Sequence, residues 1–169
     1  MKVIHVRWLA TVIAAAVIAA VASAAIAQNV APPAKVDASK AEAAAKDRDD
    51  FMKAQGAREK ALIAVMKGEA PLDEKAIAAT QAQAESTKNI LKMFPAGTGA
   101  DVVKDSRAKP EIWQQWDKFT ALAQAAIPAT EAAAVAAKSG NVQAFNEKQD
   151  IAVKTCAACH KDYRASRQR

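Results

Sequence analysis

Stretches with helical spacing of apolar residues follow one another along the chain, separated by short breaks rich in glycine and proline. In the first stretch, Met52, Leu62 and Met66 lie near one stripe, at steps close to multiples of 3.6 residues. The predicted helices are residues 40–67, 73–93, 110–139 and 142–165. No segment shows the sustained alternation of a β-strand. Four helices with mostly short connections predict an all-α fold, an antiparallel four-helix bundle.

Local signals predict where these helices begin and end. Gly68 ends the first helix, Asp73 is the expected N-cap of the second, and Pro110 suits the first turn of the third. Pro128 falls inside the third pattern, where we expect it to kink or divide the helix because it lacks a backbone N–H. The one long connection is residues 94–109.

Residues 1–27 have the three-part pattern of a secretory signal peptide. Lys2 and Arg7 give a positive start, an apolar run follows, and small residues end the segment at Ala27. The alternative is a membrane anchor, but the apolar run is short for a spanning helix. We therefore expect export to the periplasm, removal of this segment, and no membrane association afterwards.

The rest of the chain has a length that suits one domain. We expect residues 28–39 to form a flexible N-terminal segment and residues 40–169 to form the folded domain. Without Lys2 and Arg7 the formal net charge falls from +6 to +4. This mild basicity favours an acidic redox partner protein. Nucleic acid is excluded as a partner, because no run of basic residues tracks a groove.

The string CAACH contains Cys156, Cys159 and His160. In a helix, Cys156 and His160 lie four residues apart on one face, so two thioether bonds can hold a porphyrin edge while the imidazole reaches the iron. This spacing is that of c-type haem attachment, in which histidine is a common axial ligand. We predict one covalently attached haem c. An alanine-rich core also gains from so large an apolar insert.

Two other uses of a CxxC pair fit this chain less well. A thioredoxin-like dithiol opens a helix after a strand, whereas this pair lies late in a helical chain. A structural zinc site needs about four protein ligands, and after residue 27 the chain has one histidine and no third cysteine. A second histidine is thus unavailable as the sixth iron ligand. Methionine is the next candidate, and core packing is the alternative for Met52, Met66 and Met93.

Several strings resemble the class II cytochromes c, the cytochrome c′ family. They are KGEAPLD at 67–73, the Phe94-Pro95 step, KPEIW at 109–113 and KTCAACHKDYR at 154–164. The haem motif near the C-terminus is also typical of class II, since class I proteins have it near the N-terminus. The subgroup that the chain resembles most is the low-spin cytochrome c-556 type.

The resemblance implies a ligand for the side of the iron opposite His160. In the family this position lies 15 residues before the lysine of the K-G-x-x-P motif, which here is Met52, within the string FMKAQGA. Met66 lies about 21 Å further along the same helix, too far to share the role. Met93 is interpreted as a core residue.

The resemblance also implies roles for two arginines. Arg48 matches an arginine near the haem propionates, and the alternative is a solvated residue on the helix face. Arg164 matches an arginine beside the proximal imidazole, where its charge would tune the iron. The alternative is a cation favoured by the end of the helix dipole.

These expectations indicate a one-electron carrier ligated by His160 and Met52. The alternative is a five-coordinate protein, similar to cytochrome c′ proper, that binds nitric oxide or carbon monoxide. Enzymatic activity is not expected, because no distal histidine is available as a general base. Family members often form homodimers through their first two helices, and the alanine-rich faces here permit such contact.

Overall fold

The structure is a computed structural model that describes residues 30–166. Its helices are α1 (Ala38–Met66), α2 (Glu74–Thr87), a 3₁₀ helix (Ile90–Met93), α3 (Glu111–Gln114), α4 (Trp116–Lys138) and α5 (Val142–Tyr163). No β-strand occurs among these residues, although Ala108 and Arg164 form an isolated bridge. The predicted signal peptide lies outside the described residues.

The four long helices form the predicted bundle. Helix α1 packs against α2 and α5, and α4 packs against the same two helices, so the four close into a ring. Helix α3 is one turn that leads into α4. The prediction of an all-α, antiparallel four-helix bundle is therefore confirmed. Between residues 30 and 166, no helix has the length and hydropathy required to cross a bilayer.

Most helix ends follow the predicted signals. Gly68 and Gly140 have φ values of +73° and +71°, a left-handed conformation that ends a helix at little cost only for glycine. The carboxylate of Asp73 accepts a hydrogen bond of 2.9 Å from the backbone N–H of Ala76, as expected for an N-cap. Asn141 caps α5 in the same way.

Two helix boundaries differ from the prediction. Pro128 neither divides nor ends α4, which continues through it. Its ring is on the exposed side, where water can satisfy the carbonyl that a proline leaves without a donor. The break lies earlier, at Gln115 between α3 and α4. The second predicted helix also stops early, because α2 ends at Thr87 and a 3₁₀ turn covers the remainder.

The segment before α1 lies against the long connection of residues 94–109. Val36 donates a backbone hydrogen bond of 3.1 Å to Ala96, whose N–H in turn donates to Pro33. The indole N–H of Trp116 donates to the carbonyl of Val30. Three hydrogen bonds thus join residues 30–36, part of the segment predicted to be flexible, to the long connection and to α4.

Two of the three buried clusters contain the large side chains of the bundle, and the third consists of Ala41, Ala45 and Val103. The Phe145 core contains Leu62, Val65, Ala76, Ala136, Ala137 and Phe145. The Phe119 core contains Phe94, Ala108, Ile112, Trp116, Phe119 and Tyr163. In the second, the ring of Phe119 lies 4.7 Å from that of Phe94 and 5.4 Å from that of Tyr163, both edge-on. Edge-on aromatic pairs add attraction beyond the area they bury.

Replacing Phe145 tests the first of these cores. Its side chain is fully buried, so Phe145→Ala should lower the free energy of unfolding by about 3–5 kcal/mol. Val135 on α4 is 72% exposed, so Val135→Ala should change the free energy of unfolding by less than about 0.5 kcal/mol. Denaturant unfolding followed by circular dichroism measures both. Equal effects would contradict the described packing.

Candidate functional site

The last turns of α5 present Cys156, Cys159 and His160. All three are half-buried, and Cys159 packs against the Phe119 core. The cysteines are free thiols rather than a disulfide. Burial raises the pKa of each to about 11, with the charge of Glu59 adding to the effect at Cys156. Both sulfurs therefore carry their protons at neutral pH.

The environment of His160 keeps its imidazole neutral. Burial lowers the pKa of His160 to about 4, and the positive charges of Arg164 and Arg107 act in the same direction. A neutral imidazole has a free nitrogen lone pair, which is the form that binds a metal ion. His160 is therefore ready to act as an iron ligand across the whole neutral range.

Helix α1 brings Met52 to the Phe119 core, where Cys159 also lies. Met93 packs against this core too, whereas Met66 packs against the Phe145 core at the other end of the bundle. The structure thus brings Met52 near the CAACH segment and separates Met66 from it. It leaves Met93 as a second thioether beside the same cluster.

Arg48 lies one turn before Met52 and is buried, with 5% of its surface exposed. Its guanidinium donates to the Thr98 hydroxyl at 2.6 Å, the Thr98 carbonyl at 2.7 Å and the Ser106 hydroxyl at 2.9 Å. It also lies 5.2 Å from the ring centre of Phe94. The solvated alternative is therefore wrong. A role toward a propionate stays a prediction.

Burial without an acidic partner leaves the charge of Arg48 poorly compensated. The described ion pairs do not include it, and burial lowers its pKa to about 10. Thr98 and Ser106, which bind it from the long connection, were not found by sequence reasoning. Short polar residues in a loop give no signal of a partner fifty positions away.

Arg164 is exposed at the end of α5, where its backbone N–H donates to the carbonyl of His160 at 3.1 Å. Its charge lowers the pKa of His160, and tuning of the iron by this charge stays a prediction. Arg107 has the same effect on His160 and was not predicted. Its guanidinium donates to the carbonyl of Ala165, which holds the long connection against the end of α5.

This set of residues fits a covalently held haem. Two thiols and a neutral imidazole lie on neighbouring turns of α5, a thioether lies on α1, and the aromatic rings of the Phe119 core lie against Cys159 and Met52. Nitrogen and thioether ligands in apolar surroundings are typical of haem iron. In residues 30–166, no three histidine, cysteine or acidic side chains converge as a metal cluster, so the zinc alternative finds no further ligand there.

Comparisons with known proteins agree with this chemistry. A family model described as Cytochrome C′ matches residues 43–164. The chain is 32% identical over 117 residues to a cytochrome c′ from Pararhodospirillum photometricum, covering 69% of this chain and 92% of that protein. It is 35% identical over 122 residues to a cytochrome c-556 from Agrobacterium fabrum, covering 69% of this chain and 77% of the relative.

Solved structures share the fold. Cytochrome c′ from Rhodobacter sphaeroides superimposes with a TM-score of 0.70 at 31% identity, over 78% of this chain and all of that one. A carbon monoxide-bound variant of cytochrome c′ from Alcaligenes xylosoxidans has a TM-score of 0.68 at 25% identity, over 75% of this chain and 98% of that one.

Cysteine variants test the attachment site. Cys156→Ala and Cys159→Ala should each retain the haem through one remaining thioether bond, while the double variant should release it on denaturation. Absorbance and mass of the unfolded polypeptide measure what stays attached. Haem that survives denaturation in the double variant would show that the attachment lies elsewhere.

Proposed function

The chain belongs to the cytochrome c′ family, and on that basis we propose that it is a low-spin, one-electron carrier of the cytochrome c-556 type. Its cofactor is one covalently attached haem c. When bound, the haem supplies an iron that exchanges a single electron between Fe(III) and Fe(II). In the proposal, Cys156 and Cys159 hold the haem, and His160 and Met52 are the iron ligands.

The observation that carries the proposal is the meeting of α1 and α5 at the Phe119 core. Met52 and Cys159 pack against this cluster from the two helices. An unbranched thioether on an ordered helix provides a ligand without needing a proton to be removed. Methionine ligation also raises the reduction potential of a c-type centre, which suits an acceptor of electrons from a protein donor.

Contacts around Met52 favour a fixed ligand. Arg48 lies four residues earlier on the same face of α1 and anchors that helix to Thr98 and Ser106 in the long connection. Met52 is partly buried against the aromatic rings of the Phe119 core. A ligand held in one position needs little rearrangement when the iron changes charge, as electron transfer requires.

The proposal extends to the protein's surroundings. We propose that the mature protein lies in the periplasm after removal of residues 1–27. Because the mature chain is mildly basic, an acidic redox partner protein would be attracted to it. A homodimer through α1 and α2 is part of the proposal. Catalysis is not, since His160 is the one histidine after residue 27 and no second histidine is available as a general base.

Binding of a diatomic gas is the second candidate. The observation that favours it is the similarity to the carbon monoxide-bound cytochrome c′ of Alcaligenes xylosoxidans. In this alternative, Met52 remains a packing residue of the Phe119 core, and the iron keeps one open side. The two candidates differ in whether a protein side chain fills the sixth position of the iron, for which Met52 is the proposed ligand.

Methionine variants test the ligand assignment. Met52→Ala should convert a sharp, low-spin α-band of the reduced protein into a broad high-spin spectrum that shifts with carbon monoxide, because the sixth ligand is lost. Met66→Ala is the matched control: it removes a thioether from the same helix, but from the Phe145 core, and should leave the band unchanged.

Met93→Ala separates the two thioethers that lie beside the Phe119 core. We expect it to lower the free energy of unfolding by at most about 5 kcal/mol, because Met93 is only partly buried. The low-spin spectrum should remain. A high-spin spectrum in Met93→Ala together with an unchanged one in Met52→Ala would reassign the ligand to Met93.

A further inference from the structure

Glu59 is a half-buried carboxylate on the side of α1 that faces α5. Its hydrogen-bond partner is Gln149 of α5, whose side chain is only 1% exposed. The Gln149 amide N–H group lies 3.4 Å and 3.3 Å from the two carboxylate oxygens and donates to them. Moving a carboxylate out of water is costly unless a cation or hydrogen bonds compensate its charge. None of the described ion pairs includes Glu59.

The position of this pair relates it to the haem attachment segment. Glu59 follows Met52 by seven residues, and Gln149 precedes Cys156 by seven, so each lies two helical turns from a predicted site residue on the same face. Cys156 is close enough for the charge of Glu59 to raise the pKa of its thiol. The carboxyl group therefore lies between α1 and α5 beside the attachment cysteine.

Charged neighbours on α1 and α2 point elsewhere. Arg58 extends toward α2, where it donates to Gln83 and Ser86, and Lys60 is exposed. Gln83 and Ser86 of α2, which accept these hydrogen bonds, are neutral side chains that do not titrate near neutral pH. Glu59 thus has no counter-charge from this side.

On α5, the charged residues next to Gln149 also point outward. Lys148 is exposed, and Asp150 pairs with Lys154 on the surface. In the 3₁₀ helix that packs on α1, Lys92 is exposed and bonds Asn89. Cys156 is the titratable group of these elements that faces Glu59, and a thioether bond would leave it uncharged.

We propose that Glu59 is a redox-linked proton site, which binds one proton from solvent when the protein accepts one electron and releases it when the electron leaves. The inference rests on the proposed electron-carrier function. The electron comes from the redox partner and reduces Fe(III) to Fe(II), while the carboxylate becomes a carboxylic acid. Net charge inside the bundle is then unchanged by reduction.

The direction of the coupling follows from electrostatics. Burial already raises the pKa of Glu59, against the opposite effect of the Gln149 hydrogen bond. Reduction removes one positive charge from the interior, so the carboxylate loses attraction and its pKa rises further. Between the pKa of Glu59 in the oxidised protein and its higher pKa in the reduced protein, the reduction potential must fall as pH rises. A tenfold change in proton concentration shifts it by at most about 59 mV.

Potentials of the haem-loaded protein, measured against pH, test the proposal. Wild type should show a sloping region, and Glu59→Gln, which keeps the size and hydrogen bonding of the side chain, should abolish it. Above the sloping region the variant should have the higher potential, because an anion has been removed. Glu147→Gln, an exposed change on α5, is the control and should keep the wild-type profile.

Proton uptake by the unmodified protein gives a second measurement that needs no variant. Reduction in weakly buffered solution should take up protons, seen with an indicator dye, and redox-difference infrared spectra should show a protonated carboxyl band that Glu59→Gln lacks. A flat wild-type potential, no uptake, or a slope unchanged in Glu59→Gln, as haem propionates would produce, would overturn the inference. A high-spin spectrum of the same samples would instead reject the proposed function.

Discussion

The contact between α1 and α5 across the Phe119 core is the constraint on which the rest of the structure depends. Cys156, Cys159 and His160 are close in sequence and need only α5 to share a face. Met52 must be brought to them from the far end of the chain. The bundle does this by packing Met52 and Cys159 against one aromatic cluster. The haem attachment motif is thus local in the sequence, whereas the proposed ligation by Met52 depends on the fold.

Sequence reasoning predicted what local signals encode. Helical spacing, the glycines at helix ends and the N-cap Asp73 placed the four helices within a few residues of their observed bounds, except at the end of α2 and at the break between α3 and α4. The prediction that Pro128 could divide the helix was wrong, because Pro128 lies on the exposed side of α4 and the helix continues through it. The CAACH spacing predicted the cofactor through chemistry alone. The end of α2 was missed because the apolar residues after Thr87 belong to a separate 3₁₀ helix, Ile90–Met93, which the apolar spacing did not distinguish from a continued α-helix.

Polar residues on the inner stripe of α1 were harder to predict. The stripe has heptad spacing and contains Arg48, Met52, Gln55, Glu59, Leu62 and Met66. Three of these side chains are polar, so an apolar pattern does not reveal that they face inward. Their partners are distant in sequence: Thr98 binds Arg48 and Gln149 binds Glu59. Only tertiary structure shows that α1 places a cation before Met52 and a carboxyl group after it. Both are held by neutral hydrogen-bonding groups, in surroundings where charges interact strongly.

The absorbance spectrum of the reduced, unmodified protein, recorded with and without carbon monoxide, tests the central claim most directly. A sharp low-spin α-band that carbon monoxide leaves unchanged is the result we expect if a protein side chain fills the sixth position. A broad high-spin band that shifts when carbon monoxide is added would contradict the account and identify an open iron site.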